Sequence, residues 1–321
     1  MDLNVAVNQY LAHCQHVKNL SHHTIKAYTI DFQKFQEFTG SEKKLEDIDR
    51  ELLRNYVQYM FEEKILKETS VKRRVACLKS LFRWYEYEEV IEKTPFRAMD
   101  LKIKMPKHLP KALDRKEIRS LLKTPLQELG FTHRNSYKSK NFAQKITSRR
   151  GFIQLTSQLA LELLFATGIR VGELVSIEIN DVSAEDKKIK IKGKGDRERV
   201  VFLPDQQLIN LISTYESARN HFQPQTQILL INTRGTALNT QVVRLHVRNA
   251  GETANLDRRI TPHMLRHSAA THLLDSGVDI RHVQKLLGHQ SITTTQIYTH
   301  VSDTQLKEVI CKSHPMGELM G

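Results

Sequence analysis

The chain lacks the features that mark a secreted, membrane-spanning or metal-built protein. Its three cysteines, Cys14, Cys77 and Cys311, are widely separated and odd in number, which suits reduced thiols in a cytoplasmic protein better than a disulfide or zinc framework. No apolar run reaches the roughly 18 residues a spanning helix needs, so no membrane association is expected. The start, Met1-Asp2-Leu3-Asn4, shows no charged stretch followed by an apolar one, and no signal peptide is expected. Gly193-Lys194-Gly195 is not a Walker loop, because the long glycine spacing and the Lys-(Ser/Thr) pair are missing. His263, His267 and His272 stand near one another in sequence. Without a His-Glu-x-x-His or a third ligand at useful spacing they read as packing or hydrogen-bonding groups, and neither metal nor cofactor is expected. There is no internal repeat.

Acid is scarce in one place only. The formal net charge is +13, and residues 101–150 carry 14 Lys and Arg against 3 Asp and Glu, whereas residues 1–100 balance at 16 of each. A solvated surface explains balanced segments, but it does not explain a one-sided cluster. That cluster points to a polyanionic partner, and to nucleic acid in particular.

What is present reads as two domains joined by a basic linker. Residues 1–97 carry helical periodicity. A helix over 4–17 is followed by Ser21 as an N-cap, and then Tyr28, Phe32, Phe35 and Phe38 line one face of the next helix. A third helix spans 48–62. Thr69-Ser70 caps a fourth, with Val71, Val75, Leu78, Leu81 and Phe82 inward and Lys72, Arg73, Arg74 and Lys79 outward. Residues 98–112, including Met105-Pro106-Lys107-His108-Leu109-Pro110-Lys111, form an extended linker with Lys104, Lys107 and Lys111 as cations for phosphate.

The third segment, 113–321, mixes helix with a little sheet. Asp114 caps a helix over 115–122, and the polar stretch around Asn135, Ser136, Lys138, Ser139 and Lys140 reads as a loop. A buried helix over 154–165 ends at Gly168, a suitable C-cap. The period-two runs 187–192 and 199–203 flank Gly193-Lys194-Gly195-Asp196 and predict a β-hairpin with Lys194 at its tip. A helix over 205–219, a short strand over 228–231, and a helix over 239–254 bearing Arg244 and Arg248 follow.

The densest group of chemistry-bearing residues lies between Thr261 and His300. His263 and Arg266 share one face of a helix opened by Pro262. Leu287-Gly288-His289 and Thr294-Thr295-Gln296-Ile297-Tyr298 complete it. Cations around one tyrosine suit attack on a phosphodiester better than attack on a carbonyl.

This stretch resembles the catalytic box of the tyrosine recombinases, the phage integrase superfamily, and within it the Xer type. The family pattern His-x-x-Arg-His-(Ser/Thr), then Leu-Gly-His, then Thr-Thr-x-x-Tyr stands here in order, and Ile169-Arg170-Val171-Gly172-Glu173 resembles the family's first box. The resemblance implies a mainly α fold of two domains: an N-terminal helical bundle of the SAM-like, core-binding kind over 1–97, and an α+β catalytic domain with a small antiparallel sheet. It implies catalytic roles for Arg170, Lys194, His263, Arg266, His289 and the nucleophile Tyr298, with Glu173 in support.

The implied activity is site-specific recombination of double-stranded DNA through a covalent 3′-phosphotyrosyl intermediate. Homo- or hetero-tetramers on paired sites would carry it out, serving chromosome dimer resolution and partition at cell division, or integration and excision of a mobile element. A type IB topoisomerase and a catalytically silent DNA-binding protein are the alternatives. Lys72, Arg73, Arg74, Lys104, Lys107, Lys111, Lys138, Lys140, Arg244 and Arg248 are the residues expected to meet DNA. One departure stands out: residues 124–150 run about twenty longer than in Xer-type chains. The apolar tail bearing Leu306, Val309 and Ile310 is too short to stand alone and needs a surface, and the resemblance implies that it docks on a neighbouring subunit.

Overall fold

The computed structural model describes residues 1–97, 112–193 and 198–288, with Met99, Ile103, Ile310 and Pro315. Two compact units, Met1–His108 and Leu109–Gly321, each enclose their own hydrophobic core. Among the described residues no helix is long and apolar enough to cross a membrane.

The first unit is helical: α1 (Leu3–His16), α2 (His22–Thr39), α3 (Arg50–Glu62) and α4 (Glu68–Tyr87). Ser21 caps α2 by accepting from the Thr24 N–H at 3.3 Å, and Asp49 caps α3 by accepting from Leu52 N–H at 2.8 Å. Phe32 and Phe35 from α2, Tyr56 from α3 and Leu78, Leu81 and Phe82 from α4 fill the core. The start of α4 differs from expectation: Lys67 is its N-cap, without a side-chain bond, and Thr69 and Ser70 lie inside the first turn. Glu68 at the first helical position complements the positive end of the helix there.

The second unit is built around α7 (Arg149–Thr167), which is buried at every residue from Leu155 to Thr167. A helix that is apolar on nearly every side must be surrounded. Packed about it are α5 (Arg115–Glu128), α6 (Lys140–Ile146), α9 (Gln206–Asn220), α10 (Thr240–Thr253) and α11 (Pro262–Asp275). Each fully buried leucine on α7 contributes roughly 1.5–3 kcal/mol of burial. Two short helices are also described, α8 (Val171–Leu174) and α12 (Ile280–Leu287). The architecture is therefore mainly helical, with one small sheet.

That sheet has three antiparallel strands in the order β1 (Val182–Ser183), β2 (Lys188–Lys192) and β3 (Glu198–Phe202). The hairpin stands in the register Ile189↔Val201 and Ile191↔Arg199, so Ile189, Ile191 and Val201 face the core and the lysines of β2 alternate outward. The two-residue β1 carries too little periodicity to be read from sequence. The strand expected over 228–231 is reduced to isolated bridges at Ile228 and Ile231.

The longest departure is at 124–150, which is built of helix and turn rather than the expected loop. α5 continues through Pro125 to Glu128, Arg134–Lys138 forms a 3-10 turn, and α6 follows. Tyr137, Phe142 and Ile146 are buried in the core, and Arg134 is held inside by acidic partners on α7 and at the start of α9. The sequence of this stretch looks polar because its inward groups meet as charged and hydroxyl pairs. Ile310, from the tail, is fully buried in this unit's own core; Leu306 and Val309 lie outside the described residues.

Candidate active site

α7 ends at Gly168, whose φ of 61° is left-handed and closes the helix by donating to the Leu164 carbonyl at 3.1 Å. A Cβ at Gly168 would lie 2.7 Å from Leu287 Cδ2, so glycine also lets α12 approach. The turn buries Ile169 and puts Arg170 at the N-cap of α8. Glu173, three residues on, accepts from the Arg170 backbone N–H at 2.8 Å and from Arg170 Nη1 at 2.9 Å. The Arg170 side chain remains 45% exposed, so its outer edge faces solvent.

Arg266 reaches the same place from α11. Thr261 caps that helix by accepting from Met264 N–H at 3.4 Å, and Pro262 occupies its first turn. Arg266 donates through Nη1 to the Gly168 carbonyl at 2.6 Å and through Nη2 to the Leu287 carbonyl at 2.7 Å. Burial, and then the nearby Arg170 and Arg199 cations, bring its pKa down to about 10 against partial support from Glu173. It stays charged at neutral pH. Further along α11, Ser268 Oγ accepts from Leu113 N–H at 2.8 Å and His272 Nε2 lies 2.8 Å from the Leu113 carbonyl, so His272 is committed to the fold. His263 is exposed on the first turn, one turn before Arg266.

A third arginine, not singled out in the sequence, completes the cluster. Arg199 on β3 donates through Nη1 and Nη2 to the two Glu173 carboxylate oxygens at 2.9 and 2.8 Å, and through Nε to the Leu286 carbonyl at 3.2 Å. Burial opposes ionisation of Glu173, but the hydrogen bonds from Arg199 and from the Arg170 backbone outweigh it and hold the carboxyl at about 2. Three successive carbonyls at the end of α12 thus each meet a different arginine: Leu286 with Arg199, Leu287 with Arg266, and Gly288 with Arg170 at a longer 3.5 Å. Cations suit that end of a helix. Gly288 is left-handed at φ 64°, and a Cβ there would stand 3.1 Å from the Arg199 side chain. The available signal for Arg199 is its register, since it is a charge on the inward face of a strand, opposite buried Ile191.

The structure therefore brings Arg170, Glu173 and Arg266 together and leaves His263 exposed on the same helix as Arg266. Lys194, His289 and Tyr298 lie outside the described residues, as do Lys104, Lys107 and Lys111. On α4, Lys72 is exposed, while Arg73 pairs with buried Asp31 and Arg74, only 15% exposed, turns inward with Nε 3.7 Å from the same carboxylate. Lys140 is exposed at the first residue of α6; the side chain of Lys138 lies outside those described. Arg244 donates to Thr240 Oγ1 at 3.0 Å, and Arg248 to Glu252 Oε1 at 2.7 Å.

The sequence profile of the phage integrase family matches residues 139–305, a span that holds this whole cluster. The chain belongs to that family. The profile of the phage integrase N-terminal SAM-like domain matches residues 7–89, within the first unit. The recombinase is 34% identical to the tyrosine recombinase XerD of Staphylococcus haemolyticus, over 98% of this chain and 99% of that one. It is 33% identical to a tyrosine recombinase of Agathobacter rectalis, over 98% and 97%. Among solved structures, the XerH site-specific recombinase bound to its difH substrate in a pre-cleavage complex aligns with a TM-score of 0.64 and 25% identity, over 94% of this chain and 82% of that one.

Proposed function

We propose that Arg170, Arg266 and Glu173 form the phosphate-binding heart of a Xer-type active site, completed by Lys194, His263, His289 and Tyr298. The enzyme is a tyrosine recombinase that breaks and rejoins DNA strands, and its family relatives share that name over nearly their whole length. The observation that carries the assignment of roles is the arginine cluster. Arg170 keeps an exposed edge while its other partners are fixed by Glu173, and Arg266 is locked beside it by two carbonyls. Such preorganised donors stabilise charge that develops on a phosphate without reorganising during the reaction.

In this reading the Tyr298 hydroxyl oxygen forms a bond to the scissile phosphorus, the bond to the 5′ oxygen breaks, and Lys194 delivers the proton the 5′ oxygen takes up. His263 assists proton transfer at Tyr298 and His289 adds a donor to the phosphate. The DNA 3′ end remains joined to the tyrosine. A free 5′ hydroxyl from a second duplex then reverses the step on a new partner. The phosphodiester energy is kept in the covalent bond, so the reaction runs without a nucleotide cofactor.

Residues 98–112 are proposed as the basic linker between a DNA-clamping domain over 1–97 and the catalytic domain over 113–321. Tetramers on paired duplex sites in the cytoplasm are the proposed working form, serving chromosome dimer resolution or the integration and excision of a mobile element. The test is a nicked suicide duplex bearing the target site: wild-type protein should become covalently attached to the 3′ end, and Tyr298→Phe should bind the duplex without attachment.

A further inference from the structure

Arg199 has no place in the set of catalytic residues proposed above, yet it bonds both to Glu173 and to the end of α12. All three of its side-chain nitrogens have partners: two on Glu173 and one on the Leu286 carbonyl. Its side chain is 17% exposed, against 45% for Arg170. An arginine so engaged is not itself a ligand for a phosphate arriving from solvent.

Its effect on the neighbouring charge follows from the balance of groups. Glu173 carries one negative charge and sits between two arginines, with one oxygen accepting from both Nη1 atoms. If Glu173 had only Arg170 to pair with, the carboxylate would cancel the cation that is needed for the phosphate and pull the guanidinium toward itself. With Arg199 present, the carboxylate is neutralised from the buried side. Glu173 can then orient Arg170 through its backbone and Nη1 without drawing off its charge. Arg199 also ties the hairpin strand β3 to the last turn of α12, the two elements that lead into the Lys194 and Leu287-Gly288-His289 segments of the sequence.

We propose that Arg199 is a positioning residue for strand cleavage, one that offsets the charge of Glu173 so that Arg170 keeps its own for the scissile phosphate. This rests on the roles given to Arg170 and Tyr298 above. An arginine that merely filled a buried site would instead matter through folding alone.

The two are separated by covalent adduct formation on the nicked duplex under single-turnover conditions, with duplex binding and thermal unfolding measured on the same samples. Arg199→Gln should slow adduct formation by about 10- to 100-fold while duplex affinity stays within about threefold. Arg199→Lys, which keeps the charge and gives up the fork, should fall between Gln and wild type. The deciding variant is Arg199→Gln combined with Glu173→Gln. Removing the unbalanced carboxylate frees Arg170, so the double variant should react faster than Arg199→Gln alone, by about tenfold. A double variant as slow as or slower than Arg199→Gln overturns the proposal, as does an Arg199→Gln protein that cleaves at the wild-type rate. If the single variant unfolds, the Lys variant decides: a folded Arg199→Lys protein that forms adduct more than about 100-fold slower than wild type counts against charge balance. Wild-type protein that forms no adduct refutes the Tyr298 mechanism instead, which keeps the two failures distinct.

Discussion

Arg134 and Glu162 form an ion pair of 2.6 Å inside the catalytic unit, with side chains 3% and 0% exposed. The Tyr137 hydroxyl donates to the same carboxylate at 2.8 Å and Gln158 Nε2 donates at 2.7 Å, while Arg134 also reaches Asp205 at 2.8 Å. This network ties the 134–138 turn to α7 and to the cap of α9. Burial is opposed by Glu162 and Asp205, which push the Arg134 pKa further up, so the arginine is charged under all working conditions.

Breaking that pair from one side should be costly. Arg134→Ala leaves a carboxylate buried without its cation, and the catalytic unit should lose about 3–5 kcal/mol of stability. Replacing Arg134 with Met and Glu162 with Leu together should cost less, because the fully buried carboxylate leaves with its cation and only the part-exposed Asp205 loses its partner. Urea unfolding of the two variants checks this; equal losses would mean that the network contributes only packing.

Glu173 sets a pH dependence with a definite sign. Its carboxyl is held at about 2 in the folded protein against an ordinary value of 4.5, so it favours folding above the unfolded value. That contribution, on the order of 3 kcal/mol, disappears as pH falls from about 5 toward 2. Glu173→Gln should therefore be less stable at pH 7 and lose part of the wild type's acid sensitivity below pH 5. Unfolding curves at pH 7, 5 and 3 test this, and parallel losses for variant and wild type would remove Glu173 as the titrating group.

Much of this site is legible in the sequence because its elements announce themselves locally. Pro262 opens α11, the three-residue spacing sets His263 and Arg266 one turn apart, and Gly168 and Gly288 end their helices in left-handed conformations that glycine favours. Arg199 is hidden because its partner is 26 residues away in sequence and meets it only after the hairpin packs against α8. The turn at 134–138 reads as a loop for a related reason. Arg134 and Tyr137 look polar in one dimension and become core residues only beside Glu162. Arg73 and Arg74 show the converse: a basic run that reads as a phosphate-facing surface is partly engaged by Asp31, 42 residues from Arg73.

Lys138 and Lys140 stand in the basic stretch and are expected to meet the DNA backbone. Changing both to Gln should make the slope of log affinity against log salt shallower by up to about 1.8, at about 0.9 for each phosphate no longer neutralised, and leave site preference unchanged. Titrations at several salt concentrations measure it, and an unaltered slope would place these lysines in solvent in the complex.

Arg266→Lys keeps a positive charge and loses the fork. A lysine cannot hold the Gly168 and Leu287 carbonyls together while sitting against a phosphate, so cleavage should slow by about 100- to 1,000-fold with duplex binding largely retained. Single-turnover cleavage beside a binding titration separates the two effects; near-normal cleavage by the lysine variant would mean that charge alone suffices at this position.

The central claim is that Tyr298 is the nucleophile of a site built on these arginines, and the covalent adduct measures it most directly. Wild-type protein incubated with an end-labelled, nicked duplex should give a denaturant-stable protein–DNA species attached at the 3′ phosphate, and peptide mapping should place the DNA on Tyr298. Tyr298→Phe removes one oxygen and keeps the ring, so it should bind the duplex with unchanged affinity and give no such species. An adduct formed by the Phe variant, or mapped to another hydroxyl in the wild type, would contradict the account.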